Sequence, residues 1–253
     1  MDMATLPRAA ELSRAGARNP RWHPGSAPAL HSEIFAPANE ASGAGAAFAL
    51  AMDGWRSAAR QDDSLPAAEE RAVLWVQDRA AMRAGGRPYR PGLPEVLRHR
   101  LIHVAAKTPE DALFAMEEGM RCRDLACVIG EVAGNPRAMD FTASRRLTLA
   151  TEKHGVPLLL IRLDAKADLS SARMRWRIGS AQSAPPLWNP QAPGRPAWQA
   201  ELFRSRTHIP GEWILRDEHS FLAAERIEPA SSPAAPDHGD LGERAGTRSL
   251  AAL

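Results

Sequence analysis

His31-Ser-Glu-Ile-Phe-Ala-Pro-Ala-Asn-Glu-Ala-Ser-Gly-Ala-Gly-Ala-Ala-Phe-Ala-Leu-Ala-Met52 reads as a short strand, a loop of small residues and an alanine-rich helix. This is the framework of a phosphate-binding loop of the G-x-x-x-x-G-K-[ST] kind, where the lysine meets the outer phosphates and the hydroxyl meets magnesium. With Gly43 set on the second glycine, the first falls on Ala38, the lysine on Ala44 and the hydroxyl on Gly45. The backbone pattern is kept and its charge is gone. A cradle without the cation that balances a triphosphate implies a nucleotidase scaffold turned to another use.

The segments that follow alternate between strands and helices. Residues 72–76, 101–105, 125–129 and 156–163 are short apolar runs of the kind a buried parallel strand requires. Thr108-Pro-Glu-Asp111 announces a helix start, with a capping hydroxyl, proline at the first helical position and two early acids. A second helix is expected over 139–154 and ends at Gly155, while 83–94 is so rich in breakers that it reads as loop. A surface loop is expected from 56 to 66. Strands and helices in this order predict an α/β fold, a mostly parallel sheet flanked by helices through right-handed crossovers.

After Asp164 the pattern changes. Ala172-Arg-Met-Arg-Trp-Arg-Ile178 alternates strictly, which places Arg173, Arg175 and Arg177 on one face of a half-exposed antiparallel strand at one end of the sheet. Three fixed charges at that spacing could follow a nucleic-acid backbone, or they could form an outer face paired with neighbouring acids. A hairpin is expected over 198–216, with its turn at Pro210-Gly211. Trp198 and Trp213 alternate with polar residues and read as core. Trp188, set in a proline-rich loop, reads as a contact residue.

The chain of 253 residues can bury one good core, and its net charge of +2 points to no special partner. Lys107, Lys153 and Lys166 are its only lysines, a bias toward arginine that biased coding is enough to explain. Cys122 and Cys127 lack the companions of a disulfide framework or zinc site and read as reduced thiols, so a cytoplasmic protein without metal or cofactor is expected. No apolar run approaches the length of a membrane span. His99 and His103, four residues apart, bridge a loop and a strand and read as ordinary surface and edge histidines. The expected organisation is an N-terminal arm over 1–28, partly flexible, one α/β domain over 29–221, and a disordered tail over 222–253.

Residues 33–52, the strand at 125–129, and the strand at 158–164 followed by 172–178 resemble the RecA core in their order. The closing segments Ser183-Ala-Pro-Pro-Leu-Trp-Asn-Pro190, Pro196-Ala-Trp-Gln-Ala-Glu-Leu-Phe-Arg-Ser-Arg206 and Gly211-Glu-Trp-Ile-Leu215 are similar to the ImuA family, RecA-related proteins of bacterial inducible-mutagenesis cassettes. The resemblance implies a RecA-like core with an antiparallel C-terminal extension. It also implies a non-catalytic accessory role in damage-induced translesion synthesis, beside the polymerase-like protein ImuB and an error-prone polymerase, with RecA and DNA as further contacts. The residues agree on the missing ATPase. The strand at 125–129 is followed by Gly130 and Glu131 rather than by a clean acid, and the strand at 73–76 offers only Asp78 as a water activator. A residual ATPase using Glu131 or Asp78, and a SulA-like inhibitor of a filament-forming cell-division protein, are the rival readings.

Overall fold

Burial along whole strands sets this architecture. In the computed structural model, which describes residue 24 and residues 30–61, 70–218 and 221–227, β1 (His31–Ala36) and β5 (Leu158–Leu163) are buried over their full lengths. They pair in parallel, from His31 opposite Leu158 to Ala36 opposite Leu163. With β2 (Ala72–Gln77), β3 (Leu101–Ala105), β4 (Leu125–Ala133), β6 (Met174–Ser180), β7 (Ala197–Ser205), β8 (Gly211–Asp217) and β9 (Leu222–Ile227) they form one nine-stranded sheet. Its order is β3-β2-β4-β5-β1-β6-β7-β8-β9. Pairing is parallel from β3 to β6 and antiparallel from β6 to β9. The fold is therefore mixed α/β with a largely parallel core sheet.

Helix α1 (Ser42–Gln61) crosses one face, together with the short helices α2 (Arg79–Gly85) and α3 (Glu95–Arg98). The core on that side contains Ile34, Ala47, Leu50, Trp176, Trp198 and Trp213, so the two strand tryptophans are core as expected. Helices α4 (Pro109–Arg121) and α5 (Phe141–His154) cover β2, β4 and β5 on the other face through Met116, Met120, Leu147, Val128 and Leu160. Their boundaries follow the local signals. The Thr108 hydroxyl accepts from the Asp111 N–H, and the Asp140 carboxylate accepts from the Ala143 N–H, caps worth roughly 1 kcal/mol each. Gly155 stops α5 in the left-handed region, its φ of 76° being open to glycine at no steric cost.

Five expectations need correction. Helix α1 runs on to Gln61, through the start of the expected loop, and the breaker-rich 83–94 segment contains the end of α2 and a 3-10 turn at Arg90–Gly92. Strand β4 does not stop before Gly130. It continues to Ala133, because β2 and β5 flank it on both sides and Gly130 and Glu131 stay in register opposite Val76 and Gln77. Strand β6 is not at one end of the sheet, since it pairs in parallel with β1 and antiparallel with β7. Residues 222–227, placed by expectation in a disordered tail, are ordered, because β9 pairs with β8 and Leu222 is buried with its N–H donated to Asp53 Oδ1 at 3.0 Å. The remainder of the tail and, apart from Pro24, the 1–28 arm lie outside the described residues.

Candidate functional site

The loop between β1 and α1 opens at the centre of the sheet, beside the ends of β5 and β6. Gly43 meets its neighbours too closely for any side chain. A Cβ there would lie 2.7 Å from Ala36 Cβ and 3.0 Å from Ile161 Cγ2. Gly45 is equally confined, with a Cβ reaching 2.9 Å from Trp198 Cζ2. The two glycines thus bring the first turn of α1 against β1, β5 and the β7 indole. Ala44 lines an apolar groove of about 610 Å³ with Phe48, Met52, Trp75 and Trp198, and Arg56 and Asp217 also contribute to its lining.

The polar groups of the loop are occupied from within the chain. The Ala38 N–H donates to Asp164 Oδ1 at 3.0 Å, and Asp164 holds a left-handed backbone with φ of 49°. The Ser42 hydroxyl donates to Glu40 Oε1 at 2.8 Å, the Ser180 N–H donates to the same oxygen at 3.1 Å, and the Ser180 hydroxyl donates to Glu40 Oε2. Two carboxylates, Asp164 and Glu40, therefore border the loop. Their charge opposes any incoming polyphosphate.

The acids considered for water activation are built into the scaffold. Asp78 is the N-cap of α2, its carboxylate accepting from the Ala81 N–H at 2.6 Å. Glu131 is buried in the sheet and accepts from Trp75 Nε1 at 3.0 Å and Gln77 Nε2 at 2.7 Å. Burial pushes its carboxyl above the ordinary glutamate range, against the pull of those two hydrogen bonds. Gln77 also donates to the Gly86 carbonyl, and its own oxygen lies 2.9 Å from Nε2 of His103 on the edge strand β3, which joins this network. The sequence signal for this cluster was the polar end of β2, Gln77-Asp78, following an apolar run.

Arg173, Arg175 and Arg177 do share one face of β6, but each is matched by an acid. Arg173 pairs with Glu152 and Arg177 with Glu201. Arg175, only 4% exposed, donates from Nε to Glu33 Oε2 at 2.7 Å, and Glu33 also accepts from the Ser170 hydroxyl. The expectation of a half-exposed arginine face fails at its central member because β1 and β7 flank β6 and two phenylalanines enclose the guanidinium. Arg175 lies 5.1 Å from the Phe35 ring centroid and 5.3 Å from that of Phe203, and Arg162 and Arg177 also lie over the Phe35 and Phe203 rings, at 5.9 and 4.9 Å.

Leu187 and Trp188 stand at the tip of the 181–196 loop. Trp188 is 81% exposed. The loop is closed at its base by the Ala181 N–H donating to the Ala197 carbonyl at 3.0 Å, and braced by Asn189 N–H to Pro186 O and Ala192 N–H to Asn189 O. Gly194 packs so tightly inside it that a Cβ would come 2.1 Å from the Ala184 carbonyl oxygen. The tip is thus an apolar pair on a self-packed support, the form of a pre-organised anchor. Among the described residues no group of three or more His, Cys, Asp or Glu is placed to hold a metal ion, and no helix is long and apolar enough to cross a membrane.

No family model matches the chain. Over 159 residues it is 35% identical to proteins named Protein ImuA from two strains of Caulobacter vibrioides. The matched region covers 59% of this chain and 62% of each relative, so the likeness spans less than two thirds of the length of these curated relatives. The identity supports a distant relationship to the ImuA family.

Proposed function

We propose that this chain is a non-catalytic accessory factor of translesion DNA synthesis, a RecA-like scaffold that docks a polymerase-like ImuB partner and stands near RecA and the error-prone polymerase. The observation that carries this reading is the loop after β1. Its glycines serve helix packing, Ala44 stands where the pattern has lysine, and Asp164 and Glu40 take up the Ala38 N–H and the Ser42 hydroxyl. A loop freed from nucleotide geometry is available as architecture for holding macromolecules. The central place of β1, with its loop where crossovers diverge to the two sides of the sheet, supports the RecA-like assignment. The burial of Glu131 under Trp75 and Gln77 speaks against the rival ATPase.

Titration with a fluorescent ATP analogue and magnesium tests the reading directly. Any binding is expected to be weaker than about 1 mM, and a tight, magnesium-dependent complex with turnover would end the proposal. The docking half is tested at Trp188. Trp188→Ala is expected to weaken capture of the ImuB-like protein by roughly 30-fold, the effect of losing an anchor worth about 2 kcal/mol, while leaving the melting temperature unchanged because the side chain supports nothing in the fold. Undiminished capture would remove Trp188 from the contact.

A further inference from the structure

The outward side of α5 borders a basic crevice that none of the foregoing uses. Phe141, Arg145, Leu149 and Glu152 follow one another at steps of three or four residues and so share one helical face. Opposite them, Arg173 leads into β6 and Arg206 follows β7. Their backbones are joined, the Arg206 N–H donating to the Arg173 carbonyl at 3.2 Å and the Arg173 N–H to the His31 carbonyl at 2.9 Å. The crevice between these walls has a volume of about 320 Å³.

Its remaining lining, Thr148 and Ser171, is already engaged. The two hydroxyls are 2.7 Å apart, Thr148 Oγ1 lies 2.7 Å from His31 Nδ1, and the Ser171 N–H donates to Ser144 Oγ. This network makes a firm floor and leaves the guanidinium groups as the sites with capacity to spare. Glu152 neutralises Arg173. Among the described residues neither Arg145 nor Arg206 has a carboxylate partner. Two unbalanced cations thus border one crevice, and beside them Phe141 and Leu149 expose 42% and 54% of their surface.

We propose that this crevice binds the backbone of single-stranded nucleic acid, with Arg145 and Arg206 on phosphates and Phe141 as the platform on which a base stacks. A guanidinium fork matches phosphate oxygens in pairs, and sequence-tolerant strand binding joins such cations to an exposed aromatic ring. A lone inorganic anion has no use for that apolar border. The site is different from the β6 arginine face, whose other two cations are committed to Glu33 and Glu201. It does not depend on the accessory role proposed above.

Fluorescence anisotropy of a labelled oligothymidylate, measured across a range of salt concentrations, tests it on the full chain. Arg145→Ala with Arg206→Ala is expected to weaken binding by about tenfold or more and to lower the salt slope by about 1.4, two phosphates at roughly 0.7 each. Glu152→Gln, which releases Arg173, should tighten binding and steepen the slope, and Phe141→Ala should weaken it by about tenfold. Arg177→Ala should change nothing. Thermal melts verify that each variant is folded, as exposed positions predict. Failure of the unaltered protein to bind, or an unchanged slope in the double variant, overturns the proposal. Displacement of the oligonucleotide by low-millimolar potassium phosphate at constant ionic strength also overturns it, because the site would then belong to a small anion.

Discussion

Arg175→Met is expected to destabilise the fold by about 3–5 kcal/mol, the cost of leaving a buried charge without its partner. Glu33 is 1% exposed and Arg175 is 4% exposed, and their 2.7 Å hydrogen bond lies against the rings of Phe35 and Phe203. Once the guanidinium is removed, the Glu33 carboxylate retains the Ser170 hydroxyl as a donor, which does not balance a full charge in a site of low polarity. The nearby Arg162 feels the Glu33 charge across the site but spends its hydrogen bond on the Gly134 carbonyl, so it offsets the loss only in part. The double variant Glu33→Leu with Arg175→Met should recover most of the loss, because it removes the desolvation cost along with the attraction. Urea unfolding of the three proteins provides the measurement. A single variant within 1 kcal/mol of the original would show that water reaches this pair.

The second large effect follows from His31, which is buried at the start of β1 with Nδ1 on Thr148 and Nε2 without a partner. Burial lowers its pKa from 6.5 to about 4. Arg173 and Arg175 push in the same direction, and Glu33 and Glu152 oppose them. The imidazole is therefore neutral in the fold at pH 7. Below pH 6.5 the unfolded chain takes up a proton that the folded chain refuses, so stability is complete above that pH and is lost as pH falls toward 4. At 1.36 kcal/mol per unit the loss over this window is about 3 kcal/mol. Unfolding free energies of the unaltered protein and His31→Gln, measured at steps between pH 7 and 4, should diverge by about that amount. Parallel profiles would mean that His31 takes up its proton without opening the fold.

Much of the fold is legible in short-range chemistry. The hydroxyl, proline and acids at Thr108–Asp111 start α4, Gly155 ends α5, and the apolar runs become β2, β3, β4 and β5, because capping bonds, left-handed turns and continuous burial depend on neighbours along the chain. The absence of a lysine and a hydroxyl from the β1–α1 loop is legible for the same reason. A missing lysine and hydroxyl are facts of residue identity at Ala44 and Gly45, and packing cannot restore them.

The strict alternation of β6 correctly separates Met174, Trp176 and Ile178 from Arg173, Arg175 and Arg177, yet it is silent on what lies over the arginines. That depended on β1 and β7 arriving on either side, which buried Arg175 against Glu33, a residue 142 positions earlier in the chain. Likewise Glu131 becomes a sealed network member because β4 outruns its apolar stretch between β2 and β5, and Leu222–Ile227 become an edge strand because β8 offers a free row of backbone groups. The Arg145–Arg206 crevice exists because α5 and the end of β7 meet in space. Local sequence determines where elements begin, end and turn their apolar side. Which charges are buried, paired or left open is a matter of partners brought together by long-range pairing, and no window along the chain contains them.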